Sequence, residues 1–577
     1  MKNITHVVDF CVVGGGLSGL SAAIAAARRG LKVALMQDRP IPGGNSSSEV
    51  RMWVCGAHGQ GNRETGIIEE IHLENMYRNP GGNWQIWDSV LYEKARYQEN
   101  LTLLLNCSCN SAQTIDNKII SVTGWQLTTE TTHTVQAAYF ADCSGDSILA
   151  HLAGAEYRIG HEARAEFNED IAPEITDRET MGMSCLIQAR EMSTPQKFIP
   201  PAWAKKFPDH DSMSNRGHEF KNPEGNNFWW IELGGVNDSI HDTEMLRDEL
   251  LKIAFGIWDH IKNQGDHGAD NWVLEWIGFL PGKRESRRCV GDILMNQHDV
   301  RAGGTFDDVV AYGGWSMDDH HPGGFWYPGH PTIFHPAPSP FGIPYRTLYS
   351  KNIDNLWFAG RNISMTHVAM SSSRVMATCS TLGQAVGTAA AIAKKHSLSP
   401  RGVYEKAIRE LQNELMNDDC YLPGLLRNIS EITSRAKITD STIEKEKLRS
   451  GLDRAKGDES NCWTAKSGDC VEYSFADETE ISEISLVFDS NLDRRQHNQP
   501  CCYPLDAPQR EVPATMTRSF AITGIDENGK ENVIADVENN YQRLVKIKAS
   551  GKFNSIKLKI GSSWGNEEVN VFSFEVK

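Results

Sequence analysis

The chain has 577 residues, enough at roughly 100–200 per domain for three or four folding units. Its 75 acidic residues against 58 basic ones leave a net charge of −17, which excludes a protein that grips nucleic acid through a basic face. Thirteen scattered cysteines contain no CxxC pair, so no metal site is spelled out, and free buried thiols are expected. No charged leader with an apolar core precedes the first expected strand, and the expected location is the cytoplasm. The most apolar long run, Val375 to Ala393, carries Thr378, Ser380, Thr381, Gln384 and Thr388. That is too polar for a membrane span of about 20 residues and reads as a buried helix.

In chain order, an apolar strand, Phe10 to Val13, runs into Gly14, Gly16 and Gly19, a helix-period run continues to Arg29, and a second strand covers Lys32 to Met36. Gly14 permits the tight turn, Gly16 lets the backbone approach a pyrophosphate, and Gly19 lets the helix pack on the strand. Leu17 and Ser18 open the helix, whose N-terminus aims at the phosphates. Strand, turn, helix and strand within about 30 residues make this a dinucleotide site. The second strand ends in Gln37, followed by Asp38 and Arg39, where an acid usually binds the ribose; Gln accepts from one hydroxyl while donating to the other. Gly43, Gly44, Asn45, Ser46, Ser47 and Ser48 follow as an open, polar loop. A nicotinamide site has no need of such a loop, but a cofactor that continues past the pyrophosphate has, and FAD is the candidate. In the next glycine-rich loop His58 either faces the flavin or is solvated, and it and Cys55 are conceivable attachment points.

Residues 100 to 145 hold strand-like runs, Leu101 to Leu105, Ile119 to Leu127 and Thr134 to Cys143, ending in Ser144, Gly145 and Asp146 at a strand's carboxyl end, where ligands bind in open α/β sheets. From 155 to 345 aromatics cluster among prolines, histidines and glycines, as in an inserted substrate domain on a mixed sheet. Its segment GKRESRRCVGD offers Lys283, Arg284, Arg287 and Arg288 to an anionic or hydroxyl-rich substrate, though a solvated charged turn fits equally. A second segment carries His320, His321, His330 and His335 with Asp318 and Asp319 among rigid prolines and aromatics; without compact ligand spacing, no metal is expected there. A late strand, Asn355 to Ala359, then delivers Gly360, Arg361 and Asn362, and the apolar helix with Gly383 and Gln384 follows, its N-terminus suited to a reduced flavin's anion.

On VVGGGLSGLSAAIAAARRG, QDRPIPGGNSSSEV, ADCSGDSILAHLAGA, GKRESRRCVGD and LWFAGRNISMTHVAMSSSRVMATCSTLGQAVGTAA, the chain resembles the FAD-dependent oxidoreductases of the glutathione-reductase type with two dinucleotide-binding segments, and more distantly fumarate reductase flavoproteins. The resemblance covers about residues 5 to 396. It implies that Gly14, Gly16, Gly19 and Gln37 hold the ADP half, that Gly44 and Asn45 lie near the flavin, and that Gly360, Arg361 and Gly383 close the isoalloxazine end. The iron–sulfur clusters of the similar heterodisulfide reductase subunit are not implied, because their cysteine run is missing.

After an amphipathic helix at 402–416 and a polar stretch at 430–450, short alternating strands separated by turns imply an all-β sandwich. It resembles a discoidin or galactose-binding-like jelly roll, whose Trp463, Arg494 and Trp564 would meet a sugar, unless the module is structural. The expected fold is therefore an α/β Rossmann-like FAD-binding domain (1–155 and 346–400) with an inserted α+β substrate domain (156–345), a helical connector (401–450) and a jelly-roll sandwich (451–577). The expected function is hydride transfer between a small, possibly carbohydrate-derived, substrate and flavin. His320, His321, His335 or His367 would act as acid/base, since imidazole titrates near pH 7, and Arg284 or Arg346 would position substrate. Reduction of an activated C=C bond with an Arg proton donor, or glycan binding over a structural flavin domain, are the alternatives. No nucleic acid or membrane partner is expected; a homo-oligomer is possible.

Overall fold

The computed structural model describes every residue except Met1, Asn215 and Gly265. Contacts divide it into two compact units that do not follow chain order. The first holds Met1–Ala57, Gly82–Leu411 and Gln496–Gln509; the second holds His58–Gly81, Gln412–Arg495 and Arg510–Lys577.

The first unit is built on a seven-stranded sheet. Its members are β1 (Lys2–Val13), β2 (Val33–Met36), β3 (Leu101–Leu104), β4 (Cys107–Ile115), β5 (Lys118–Gln126), β6 (Thr131–Asp142) and β7 (Leu356–Phe358). They lie in the order β3-β2-β1-β6-β5-β4, with β7 beside β6. β1, β2, β3, β6 and β7 pair in parallel, and β4, β5 and β6 form an antiparallel meander. Phe10 to Val13 is buried without alternation, as a strand covered on both faces must be. β1 starts earlier than its apolar run, because Lys2 to Val8 pair with the amino-terminal half of β6. Val13, Asp142 and Phe358 sit side by side in register, so three loops leave the same carboxyl edge together.

Helix α1 (Leu17–Arg28) starts at this edge and packs against β1, β2 and β3, and α2 (Met376–His396) lies directly on α1. A Cβ on Gly383 would stand 1.9 Å from the Ser18 carbonyl oxygen, and one on Gly387 2.1 Å from that of Ala22. Ser21 and Ser380 hydroxyls meet at 2.7 Å within the contact. Among the described residues no single helix is long and apolar enough to cross a membrane, and α2 is buried from Ala377 to Ala393.

The inserted region differs from the mixed sheet expected of it. It contains two- and three-stranded antiparallel pieces around the helix Thr243–Asn263, with Phe207, Phe220, Phe228, Trp230, Trp258, Trp272 and Phe325 in their core. Frequent glycine and proline break the strands before they can extend into one sheet. The segment 496–509 completes this unit: His497 stacks on Trp53 at 4.7 Å, Asn498 Oδ1 accepts from the Val54 amide at 2.7 Å, and Tyr503 N–H donates to the Ala189 carbonyl at 2.9 Å.

The second unit is an antiparallel sandwich of β8 (Trp463–Lys466), β9 (Cys470–Phe488), β10 (Phe520–Ile525), β11 (Glu531–Val537), β12 (Leu544–Ile560) and β13 (Glu568–Val576), paired in the order β8-β13-β9-β12-β10-β11. Each long strand, β9 and β12, joins two runs that the sequence separates, with register shifts at Ser474/Thr479 and Ile481/Glu483. Two of the proposed sugar contacts are used otherwise. Trp463 is in the sandwich core, and Arg494 makes a two-pronged pair with Glu69. Trp564 is half-buried and donates to the Asn540 carbonyl at 2.7 Å.

Gly383→Val is expected to force α1 and α2 apart. Overpacking of this kind costs about 1–3 kcal/mol, and the denaturant midpoint should fall together with the flavin content of the purified protein.

Candidate functional site

One cavity of about 790 Å³ opens at the carboxyl edge of the sheet. Gly14, at φ +99°, makes the turn out of β1, and a Cβ there would strike the Cys143 carbonyl oxygen at 2.4 Å. Gly16 meets nothing nearer than Gly44 Cα, 3.9 Å from its absent Cβ, so its backbone stays open to a ligand. Neither α1 nor α2 has a side-chain cap or an acidic residue in its first turn. Both N-terminal segments line the cavity, which therefore receives two uncompensated positive helix ends. This donor set suits a long anionic cofactor with a pyrophosphate and an anion-forming ring.

Of the expected cofactor residues, Gly14, Gly16, Leu17, Ser18, Gln37, Asp38, Arg39, Gly44, Asn45, Gly145, Asp146, Gly360 and Arg361 line this cavity. Gly19, Ser46, Asn362, Gly383 and Gln384 stand behind it. Gly19 packs on Gly14, and Ser46 Oγ donates to the Gly43 carbonyl. Asn362 Nδ2 donates to Ser147, while its buried Oδ1 accepts no hydrogen bond. Gln37 is buried and folds back on the glycine turn, where Oε1 accepts from the Gly15 amide at 2.7 Å and Nε2 donates to the Ile41 carbonyl. Cys55 lines the cavity and His58 does not.

Asp146 organises one side. Its oxygens receive Arg361 at 2.6 Å, Lys283 at 2.7 Å and the Ser286 hydroxyl at 2.8 Å. Burial alone would raise its carboxyl, but Arg361 and Lys283 hold it down to about 2. It remains an anion that fixes two cations at the cavity wall.

The opposite wall carries the reactive groups. His320 is 4% exposed, with Nδ1 2.6 Å from Glu232 and Nε2 3.3 Å from Asp318. Arg284 donates to the Trp229 carbonyl at 2.9 Å and lies 3.3 Å from Glu232, and Arg374 pairs with Asp318 at 2.9 Å. Burial opposes charge on Glu232 and Asp318, yet Arg284 and His320 hold the first below the usual carboxylate range, and His320 and Arg374 the second. Trp229, Trp315 and Phe334 supply the flat surfaces around them. His320 and Arg284 are thus brought together in the cavity.

The other expected catalytic residues lie elsewhere. His321 is stacked on Tyr327 at 3.5 Å and accepts from the Gly323 amide. His335, beside Phe334 on the strand Thr332–His335, is not among the lining residues. Arg346 is tied to Asp308 at 2.9 Å. His367 is buried between Glu285 and Asp319, both about 3.0 Å away. Burial pulls its imidazole down, but the two carboxylates outweigh this and raise it to about 10. It braces the strand Met317–His320 from behind, one residue from the cavity-facing Asp318. Glu232 and Arg374 are absent from the sequence reading. A single acid inside the aromatic run FWWIEL was a usable signal for the first; nothing in SSSRVM separated Arg374 from an ordinary helix-flanking cation.

A parallel sheet with a glycine turn at its switch edge, two helix ends and a cavity beyond them defines a flavoprotein of the dinucleotide-binding class. The profile described as "FAD dependent oxidoreductase" matches residues 9–415, and the chain belongs to that family. It is an FAD-dependent oxidoreductase. A stretch of 70 residues is 39% identical to a glycerol-3-phosphate dehydrogenase of Mycobacterium leprae, covering 12% of this chain and 12% of that protein. The match thus spans about an eighth of the curated relative. Among solved structures, a geranylgeranyl bacteriochlorophyll reductase-like protein from Thermoplasma acidophilum is 13% identical over 72% of this chain and 86% of its own, with a TM-score of 0.32. The family 32 carbohydrate-binding module from Streptococcus pneumoniae EndoD is 12% identical over 26% of this chain and 99% of its own, with a TM-score of 0.20.

Because the His367 value is raised in the folded state from 6.5 to about 10, its stabilising effect is full below pH 6.5 and is lost as pH rises to about 10. The difference in unfolding midpoint between the native protein and His367→Gln should therefore shrink steadily across that window, a trend that pH-resolved denaturant titrations will show.

Proposed function

We propose that this oxidoreductase transfers a hydride between FAD and a small polyhydroxylated or anionic substrate, with His320 handling the proton. The observation that carries this reading is the placement of His320 on the cavity wall, wedged between Glu232 and Asp318 and flanked by Arg284 and Arg374. FAD, held by the glycine turn, Gly44, Asn45 and the Arg361–Asp146 side, supplies the two-electron centre. The residues do the rest. Glu232 accepts a hydrogen bond from the Nδ1–H of His320 and fixes the ring; Nε2, which faces Asp318 at 3.3 Å, takes a hydroxyl proton as the carbon is oxidised, or returns it in the reverse direction, once the substrate hydroxyl replaces Asp318 beside it. Arg284 and Arg374 offer guanidinium donors to neighbouring oxygens of the substrate, while Trp229, Trp315 and Phe334 exclude water and present faces on which a sugar ring can lie. A saccharide fits this combination of cations and aromatic rings.

A second reading rests on Arg284 itself, whose guanidinium is pulled down by burial; it would then be the proton donor in reduction of an activated C=C bond. Anaerobic titration separates the two: an alcohol or sugar that bleaches the oxidised flavin supports the first, and an unsaturated compound that reoxidises the reduced flavin supports the second. With a bleaching substrate in hand, His320→Gln should retain the flavin spectrum and slow flavin reduction about 10²- to 10⁴-fold. An unchanged rate removes His320 from the chemistry.

A further inference from the structure

Four histidines of the inserted region, none of them lining the cofactor cavity, lie together near the end of the helix Thr243–Asn263. The ring centres of His210, His218, His260 and His267 are all within 6.1 Å of one another. We infer that they form a binding site for a divalent transition metal, with zinc the ion to test first.

Nitrogens of His210, His218 and His260 already lie within 4.8 Å of one another, and His218 Nε2 is 3.1 Å from His267 Nδ1. Two ligands of a tetrahedral zinc, each at about 2.0–2.1 Å, stand about 3.3–3.4 Å apart, so closing the set takes ring movements of about 1 Å. The outer nitrogens are held as metal-bound histidines require. His260 Nδ1 is 2.8 Å from the Phe207 carbonyl oxygen and His218 Nδ1 is 3.5 Å from the Arg216 carbonyl oxygen, while His267 Nε2 lies 2.8 Å from the Asp266 carboxylate as an ion-pair contact without a hydrogen bond. This leaves His260 Nε2, His218 Nε2 and His267 Nδ1 directed inward. His260 Nε2 is the decisive atom, because it belongs to a residue only 3% exposed and has no hydrogen-bond partner. An orphaned lone pair in such a place costs free energy that a metal ion recovers. All four donors are imidazoles, a set that suits zinc, copper, nickel or iron and is foreign to magnesium or calcium. A filled site would tie His210 and His218 to the end of the helix and act on stability rather than on the redox chemistry.

The test is the metal content of the purified holoprotein, followed by cobalt titration of the chelator-treated holoprotein. About one zinc per chain, and a tetrahedral cobalt spectrum at wavelengths beyond the flavin bands, are expected. His210→Gln, at an exposed position, should weaken cobalt binding, and the His218→Gln/His267→Gln double variant should abolish it, both with flavin content unchanged. A native protein with less than about a tenth of a metal ion per chain and no cobalt spectrum would overturn the site, as would a double variant that binds cobalt as the native protein does.

Discussion

The close approach of α1 and α2 is the constraint on which the cofactor site depends. Residues 17–28 carry the glycine turn's helix and residues 376–396 the helix whose first turn faces the far end of the cavity, yet they meet with almost no side chains between them. Gly383 over Ser18 and Gly387 over Ala22 set the distance, and the register of β1, β6 and β7 sets the direction. Two positive helix ends are thereby aimed into one cavity. A bulkier residue at either glycine moves one end relative to the other and so spoils the fit for a rigid cofactor.

Charge is arranged in layers around that cavity. Asp146 ties down Arg361 and Lys283 on one wall, and Glu232 and Asp318 tie down His320, Arg284 and Arg374 on the other. Behind the second wall, Glu285, His367, Arg288 and Glu162 form a buried network that never reaches the cavity lining. Asp318 and Asp319 are neighbours on one strand, so their side chains point to opposite faces. One serves the cavity and the other the brace, and the position of His320 follows from both.

The cofactor half was legible because its signals are local. A glycine turn between an apolar strand and a helix can be read within thirty residues, and the late Gly360 strand carries its own pattern. The His320 wall was only partly legible. His320 and Arg284 stand out by residue type, but their setting depends on Glu232 and Arg374, which come from segments about 50 to 90 residues away in the chain. Arg346 and His367 have equally suitable chemistry, but their ion pairs with carboxylates outside the cavity lining remove them from it. The histidine cluster was missed for the same reason: it combines His210 and His218, ahead of the helix Thr243–Asn263, with His260 in its last turn and His267 just beyond it, and no compact spacing announces it. In the sandwich, alternation revealed the strands but not that two long ones each continue through an apparent break.

The segment 496–509 has a consequence for how the protein matures. Met52 and Trp53 line the cofactor cavity, and the stretch that carries them is closed by His497 and Asn498, more than four hundred residues later. Domains ordinarily fold as they leave the ribosome, from the amino terminus onward. Here the stretch beside the cavity is not closed until residues 496–509 have been made, more than four hundred residues after the glycine turn.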